Sequence, residues 1–298
     1  MGHRPEENLP VVVGVDGSPT ALDAARWAAR EAARRGAPLA VIGAFSWFGT
    51  RHLGDPGFGS HYRKAMVTRA RAAVSAGVEA AAEAAGGIEI SGRVDDGFPV
   101  PLLVAASRRA ELLVVGDRGL GGGTSPLTGS VAIGLAAHAE CPVVVVRGDQ
   151  PSENDGPVVV GIDGSQLSEA ALEFAFRTAD LREALLIAVH AWTDGALDAG
   201  LVPLLGWDDI ETAEHPLLAE WLAGWEEKYP DVVVQRVVVR DRPAHAVIEQ
   251  ATAAAARLVV VGSHGRGGAT AFVLGSVSHA VLHHAPCPVA VVRPERTP

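Results

Sequence analysis

Two stretches of this 298-residue chain carry the spacing G-x2-G-x9-G-S. The first is built on Gly116, Gly119, Gly129 and Ser130 and runs on into Val131. The second is built on Gly262, Gly265, Gly275 and Ser276 and runs on into Val277. Glycine lets backbone N–H groups approach an anion with no side chain in the way. A helix opening after the loop adds unpaired N–H groups and the positive end of a dipole. The chemistry that suits this pattern is the holding of a phosphate. A second pair of candidates stands far upstream of each loop: Asp16 in Gly14-Val-Asp-Gly-Ser-Pro and Asp163 in Gly161-Ile-Asp-Gly-Ser. A carboxylate beside a phosphate loop suits a ribose hydroxyl or a metal ion, although Asp-Gly-Ser-Pro is also good turn chemistry by itself.

The two loops are not chemically equal. Between its glycines the first carries Asp117, Arg118, Leu120, Gly121 and Gly122, and the second carries Ser263, His264, Arg266, Gly267 and Gly268. A carboxylate near a triphosphate is unfavourable unless a metal ion intervenes, so the second loop is expected to bind more tightly. Neither loop ends in the Lys-Ser/Thr of a Walker A motif, so the lysine that would cradle the β- and γ-phosphates is missing. With no recognisable nucleophile–base pair either, no catalytic residue is assigned. His279 and His283 are four apart, the spacing of some zinc pairs, but no acidic or cysteine partner is obvious in the sequence and no metal ligand is assigned.

These residues need elements to position them. Apolar runs of strand length alternate with helical periodicity. Strands are expected at Leu9–Val15, Leu39–Trp47, Ile88–Val94, Leu112–Val115 and Val143–Val146. Helices are expected from Pro19 to Arg35, Tyr62 to Ala85, Pro99 to Arg109 and Ser130 to His138. Ser18 suits the first helix's N-cap and Gly36 its end. The plan then repeats, with strands at Val158–Ile162, Leu185–Trp192 and Val232–Val239, a helix from Pro216 to Tyr229, and another opening at Arg242-Pro243. Trp192 is read as the counterpart of Trp47. Asp16 and Asp163 are 147 residues apart; Gly116 and Gly262, Ser130 and Ser276, and Cys141 and Cys287 are each 146 apart. So steady an offset means duplication of a whole domain. The expected units are 1–148 and 157–298, joined by a polar linker at 149–156. Each predicts an open parallel five-stranded sheet with helices on both faces, with the first and fourth strands ending side by side at the ligand crevice.

Composition bounds the partners. Net charge is −10, with 48% hydrophobic and 20% charged residues. That argues for a globular protein and against a nucleic-acid or anionic-membrane binder, both of which need a basic footprint. No signal peptide and no bilayer-spanning run is visible. Cys141 and Cys287 do not make a disulfide framework and read as small buried side chains. These features point to the cytoplasm. The arginines around Arg26, Arg30, Arg34 and Arg35 read as a solvated helix face.

The chain resembles the tandem universal stress proteins of actinobacteria, over nearly all of its length. The resemblance rests on Val-Gly-Val-Asp16-Gly-Ser and Val-Gly-Ile-Asp163-Gly-Ser, on both glycine loops, and on Cys-Pro-Val-Val-Val-Val and Cys-Pro-Val-Ala-Val-Val. It implies an adenine nucleotide alpha hydrolase-like fold with strand order 3-2-1-4-5. It also implies two ATP sites per chain, with Mg2+ as a candidate companion. By the same resemblance Gly14, Asp16, Gly161 and Asp163 would lie near adenine and ribose, with Ser46 and Ala191 flanking the adenine and Asp194 close by. The glycine-loop residues would hold ribose and phosphates. Such a protein regulates stress survival or growth through ATP-dependent conformation or partner binding. The alternatives are a slow ATPase or adenylate-handling enzyme, and an interaction module without nucleotide. Family domains pair through the last strand, which implies an internal pseudo-dimer through Val143–Val146 and Val289–Val292, a homodimer or higher oligomer, and an unidentified regulatory protein partner.

Overall fold

A computed structural model of the chain describes residues 8–46, 56–120, 128–147, 156–192, 207–265 and 274–294. The chain divides into two compact units, Met1–Gln150 and Pro151–Pro298. The first contains β1 (Val11–Val15), α1 (Pro19–Arg35), β2 (Leu39–Phe45), α2 (Pro56–Ala84), β3 (Ile90–Asp96), α3 (Pro99–Ser107), β4 (Leu112–Gly116), α4 (Ser130–His138) and β5 (Val143–Val146). The second contains β6 (Val158–Ile162), α5 (Gln166–Leu181), β7 (Leu186–Trp192), α6 (Trp207–Lys228), β8 (Val234–Arg240), α7 (Pro243–Ala253), β9 (Leu258–Gly262), α8 (Ser276–His284) and β10 (Val289–Val292).

In the first unit the strands lie in the order β3-β2-β1-β4-β5, and in the second β8-β7-β6-β9-β10. Every pairing within a unit is parallel. This is the expected order 3-2-1-4-5, twice. Parallel sheets covered on both faces select continuous apolar strands. Val11, Val13, Leu112, Leu113 and Val114 in one sheet, and Val158, Val159, Val160, Leu258 and Val259 in the other, are 0% exposed. After β1 the chain winds outward to β2 and β3, then returns to β4 on the other side. The strands' carboxyl ends therefore open a crevice between β1 and β4, and likewise between β6 and β9.

Local chemistry sets the first helix. Ser18 caps α1 by accepting the Ala21 N–H at 3.2 Å, Pro19 fills the first turn, and Gly36 ends the helix at φ +63°. Two other helices begin earlier than the sequence predicts. Helix α2 starts at Pro56, where proline's fixed φ and absent N–H suit a first turn. Helix α6 starts at Trp207 and runs through Pro216. Proline removes one backbone bond there, but it is exposed, and Leu218 and Leu222, both fully buried, hold the helix against the core. The edge strands lie further along than their apolar runs suggest, β3 by two residues at each end and β8 by two at its start and one at its end. Pairing with β2 and β7 draws in the polar ends, Asp96 opposite Phe45 and Arg240 opposite Trp192. Register also corrects the pairing of aromatics. Val15 pairs with Gly43 and Ile162 with His190, so Trp192 is the counterpart of Phe45 rather than of Trp47, and Ala191 that of Ala44 rather than of Ser46. The Gly97 N–H to Phe45 and the Asp241 N–H to Trp192 repeat the same match.

Candidate functional site

In the first unit the crevice is built by tying two distant turns together. Asp16 follows β1. Its Oδ1 accepts the Ser18 N–H at 2.9 Å and its Oδ2 accepts the Leu120 N–H, 104 residues away, at 2.8 Å. Thr20 Oγ1 donates to the Arg118 carbonyl at 2.5 Å. The loop after β4 is thus held over the start of α1. Close approach explains its glycines. A Cβ at Gly119 would come 2.6 Å from Asp16 Oδ2, and one at Gly116 would come 2.8 Å from the Thr20 backbone. The loop's far end closes through the Gly129 N–H to the Asp117 carbonyl at 2.6 Å, and Asp117 is itself tied by its N–H to Val146 at 2.8 Å. Gly129 then opens α4 and, having no side chain, supplies no cap to the first-turn N–H groups.

The second unit repeats this construction. Asp163 Oδ1 accepts from the Ser165 N–H at 3.0 Å and the Ser165 hydroxyl at 2.6 Å. A Cβ at Gly265 would come 2.8 Å from Asp163 Oδ2. The Gly275 N–H donates to the Ser263 carbonyl at 2.8 Å, and Gly275 opens α8, again without a side-chain cap. Ser278 adds a bond absent from the first unit, its hydroxyl donating to the Gly262 carbonyl at 2.5 Å.

The loops differ in electrostatics. Asp117 is 3% exposed and its carboxylate lies 3.3 Å from the Arg118 guanidinium, so the acid and the base of the first loop neutralise one another. The second loop has the neutral Ser263, 2% exposed, with His264 Nδ1 3.2 Å from its hydroxyl. Among the described residues, His264 Nε2 is buried and meets no hydrogen-bonding partner. Leaving such a nitrogen unpaired costs about 1–3 kcal/mol.

Of the residues singled out in the sequence, Asp16, Gly116, Asp117, Arg118, Gly119, Leu120, Gly129, Ser130 and Val131 come together at the first crevice. Asp163, Gly262, Ser263, His264, Gly265, Gly275, Ser276 and Val277 do so at the second. Gly14 and Gly161 lie within their strands, and packing accounts for them. Cβ atoms there would come 2.8 Å from Leu103 on α3 and 3.0 Å from Val247 on α7. Ser46 and Ala191 stand half-buried at the ends of β2 and β7. Gly121, Gly122, Asp194, Arg266, Gly267 and Gly268 lie outside the described residues, as does most of the expected linker.

Sequence reading missed two features. Thr20 is invisible because its partner, Arg118, is near only in space. His190, buried in β7, places Nδ1 3.0 Å from the Ile162 carbonyl and Nε2 3.0 Å from Glu214, with its ring edge-on to Trp221. A histidine inside the apolar run Leu186–Trp192 was the available signal. Its counterpart in the first unit is Gly43.

The model of the Universal stress protein family matches the chain twice, at residues 8–147 and 156–293. A universal stress protein of Mycobacterium tuberculosis is 42% identical over 296 residues, 97% of this chain and 99% of that relative. One of Mycolicibacterium smegmatis is 40% identical over 291 residues, covering 95% of this chain and 97% of its own. The solved structure of a universal stress protein from Archaeoglobus fulgidus shares the fold, with a TM-score of 0.71 at 22% identity and 97% of both chains covered. With both halves matched and relatives alike over their full lengths, the chain belongs to the universal stress protein family, as a member with two such domains in tandem.

Proposed function

We propose that each unit binds one ATP, and that the chain is a non-catalytic regulator acting through nucleotide-dependent conformation or partner binding. The observation that carries this reading is the repeated crevice. In both units the described ends of a glycine loop lie against the first-strand aspartate and lead into a helix N-terminus with no side-chain cap at the carboxyl end of the sheet. The residues fit a nucleotide: with no Cβ at Gly116, Gly119 and Gly265 the loop backbones lie close against Thr20 and the first-strand aspartates, and His264 Nε2, without a partner among the described residues, offers a bond to a phosphate or ribose oxygen. Asp16 and Asp163 would hold ribose hydroxyls or a Mg2+ accompanying the triphosphate. Each oxygen that already takes an N–H keeps a second lone pair. Ser130, Val131, Ser276 and Val277 would present backbone N–H groups to the phosphates. ATP would act by favouring one conformation or partner surface, which requires different affinities for the states concerned.

Charge and composition support a cytoplasmic protein that does not bind nucleic acid, and membership of the family supports a homodimer or higher oligomer with a regulatory protein partner. Among the described residues no helix is long and apolar enough to cross a membrane. The test is to denature protein purified without added nucleotide and to identify and count what is released by mass spectrometry. ATP at close to two per chain is the expected result. ADP or AMP alone would favour slow turnover. Nothing released, followed by no binding in titration, would leave an interaction module.

A further inference from the structure

Helix α8 carries His279 and His283 one turn apart, and their rings converge. The two Nε2 atoms are 3.3 Å apart, with ring centroids separated by 4.5 Å and planes inclined at 66°. Residues four apart are neighbours on a helix, but neighbouring imidazoles need not aim the same nitrogen at a common point. At this distance one ring nitrogen can donate to the other, the roles depending on the tautomer of each ring.

The same spacing fits a metal ion. Zinc binds imidazole nitrogen at about 2.0–2.1 Å in tetrahedral geometry, and the edge of such a tetrahedron is about 3.3–3.4 Å. An ion can therefore enter by rotation of the two rings, without a change in the separation of their nitrogens. Paired histidines at this spacing on one helix face are a recurrent zinc arrangement.

The fold does not demand these side chains. At the corresponding places on α4, 146 residues earlier, stand Ile133 and Ala137. Nor does the candidate nucleotide site use them. We propose that His279 and His283 form a two-nitrogen chelate for a divalent transition-metal ion of the zinc class, its remaining positions open to water. The ion would staple the first turn of α8 to its last. Because it would bind the folded helix and not the unfolded chain, it would also raise the stability of the second unit.

A competing ligand set lies around the start of α7, where donor atoms of Asp241, His245 and Glu249 all fall within 4.8 Å of one another. That set offers one nitrogen and two oxygens, and Asp241 already holds His245 in a short ion pair. The two sites are distinguished by which nitrogens respond. The full-length chain, stripped with a chelator and then dialysed, is titrated with ZnCl2 by calorimetry, and the imidazole nitrogens are followed by NMR. The expected result is one zinc ion per chain, with the Nε2 resonances of both His279 and His283 shifting together. His279→Gln and His283→Gln should each weaken binding at least about tenfold, while His245→Gln should leave it unchanged. A response confined to His245, or binding that survives the His279→Gln/His283→Gln double substitution, overturns the proposal. His279 is exposed, and circular dichroism of each variant separates loss of metal from loss of fold.

Discussion

At the scale of single residues, the site's aspartates do two jobs. Asp16 links the turn after β1 to the glycine loop through both carboxylate oxygens. Its turn chemistry was readable from Asp-Gly-Ser-Pro, but its bond to Leu120 was not, because sequence spacing says nothing about contacts across 104 residues. Thr20 was missed for the same reason. The cysteines were legible because a small sulfur side chain at the start of an apolar strand has one common fate. Cys141 and Cys287 are 8% and 6% exposed. Burial, slightly opposed by nearby backbone N–H groups, pushes the Cys141 thiol up to about 12. A thiol raised above its unfolded value stabilises the fold fully below the unfolded pKa of about 8.5. That stability is lost as pH rises from there through the folded value. Native protein at pH 8 should therefore leave Cys141 unmodified by iodoacetamide, while unfolded protein is alkylated readily. Mass mapping of the two samples checks this, and rapid native labelling at Cys141 would contradict it.

At the scale of elements, helix α1 shows where pattern reading stops. Its arginines were read as one solvated face, and for Arg35 the structure reverses this. The Arg35 side chain is 1% exposed, with its guanidinium 2.8 Å from Glu31 and 2.9 Å from Glu111. Burial opposes its charge, but the Glu31 and Glu111 carboxylates outweigh burial and hold the guanidinium pKa above its ordinary value. The last turn of α1 brings Arg35 to the start of β4, a contact that helical periodicity cannot foresee because Glu111 lies 76 residues away. Removing one partner of a buried pair strands the other charge, at a cost of about 3–5 kcal/mol. Arg35→Met alone should lower stability by about that amount in urea unfolding. Adding Glu31→Leu and Glu111→Leu to it should recover most of the loss. A single substitution that costs nothing would mean that water reaches the cluster. The strands and most helices were otherwise legible from periodicity and glycine punctuation, whereas the strand order came from the family resemblance. Boundaries shifted where proline was accommodated, at Pro56 and Pro216, or where polar residues joined an edge strand.

At the scale of the whole molecule, duplication preserved the frame of the site while its chemistry diverged. The frame was legible because identical glycine spacing recurs with distant aspartates in step. The divergence was legible only in part. Ser263 in place of Asp117 could be read directly, but the pairing of Asp117 with Arg118 and the burial of His264 Nε2 with no partner among the described residues needed coordinates. So did His190, whose counterpart in the first unit is Gly43, where Val74 of α2 packs so close that a Cβ would come 2.7 Å from it. These differences rank the two proposed sites. The first loop spends its arginine on its own aspartate, whereas the second has no carboxylate at that place and keeps an imidazole nitrogen in need of a partner. Glycine substitutions can separate the two. A valine at Gly119 or at Gly265 would press its Cβ against Asp16 or Asp163 and displace the loop in that unit alone. In ATP titrations of the full-length chain, each variant should fall from two sites to one. The site remaining in Gly119→Val should be the tighter, by about tenfold for one net hydrogen bond of 1–1.5 kcal/mol. Equal residual affinities would mean that the loop side chains do not contribute. Two sites surviving either substitution would mean that the glycines serve the turn rather than a ligand.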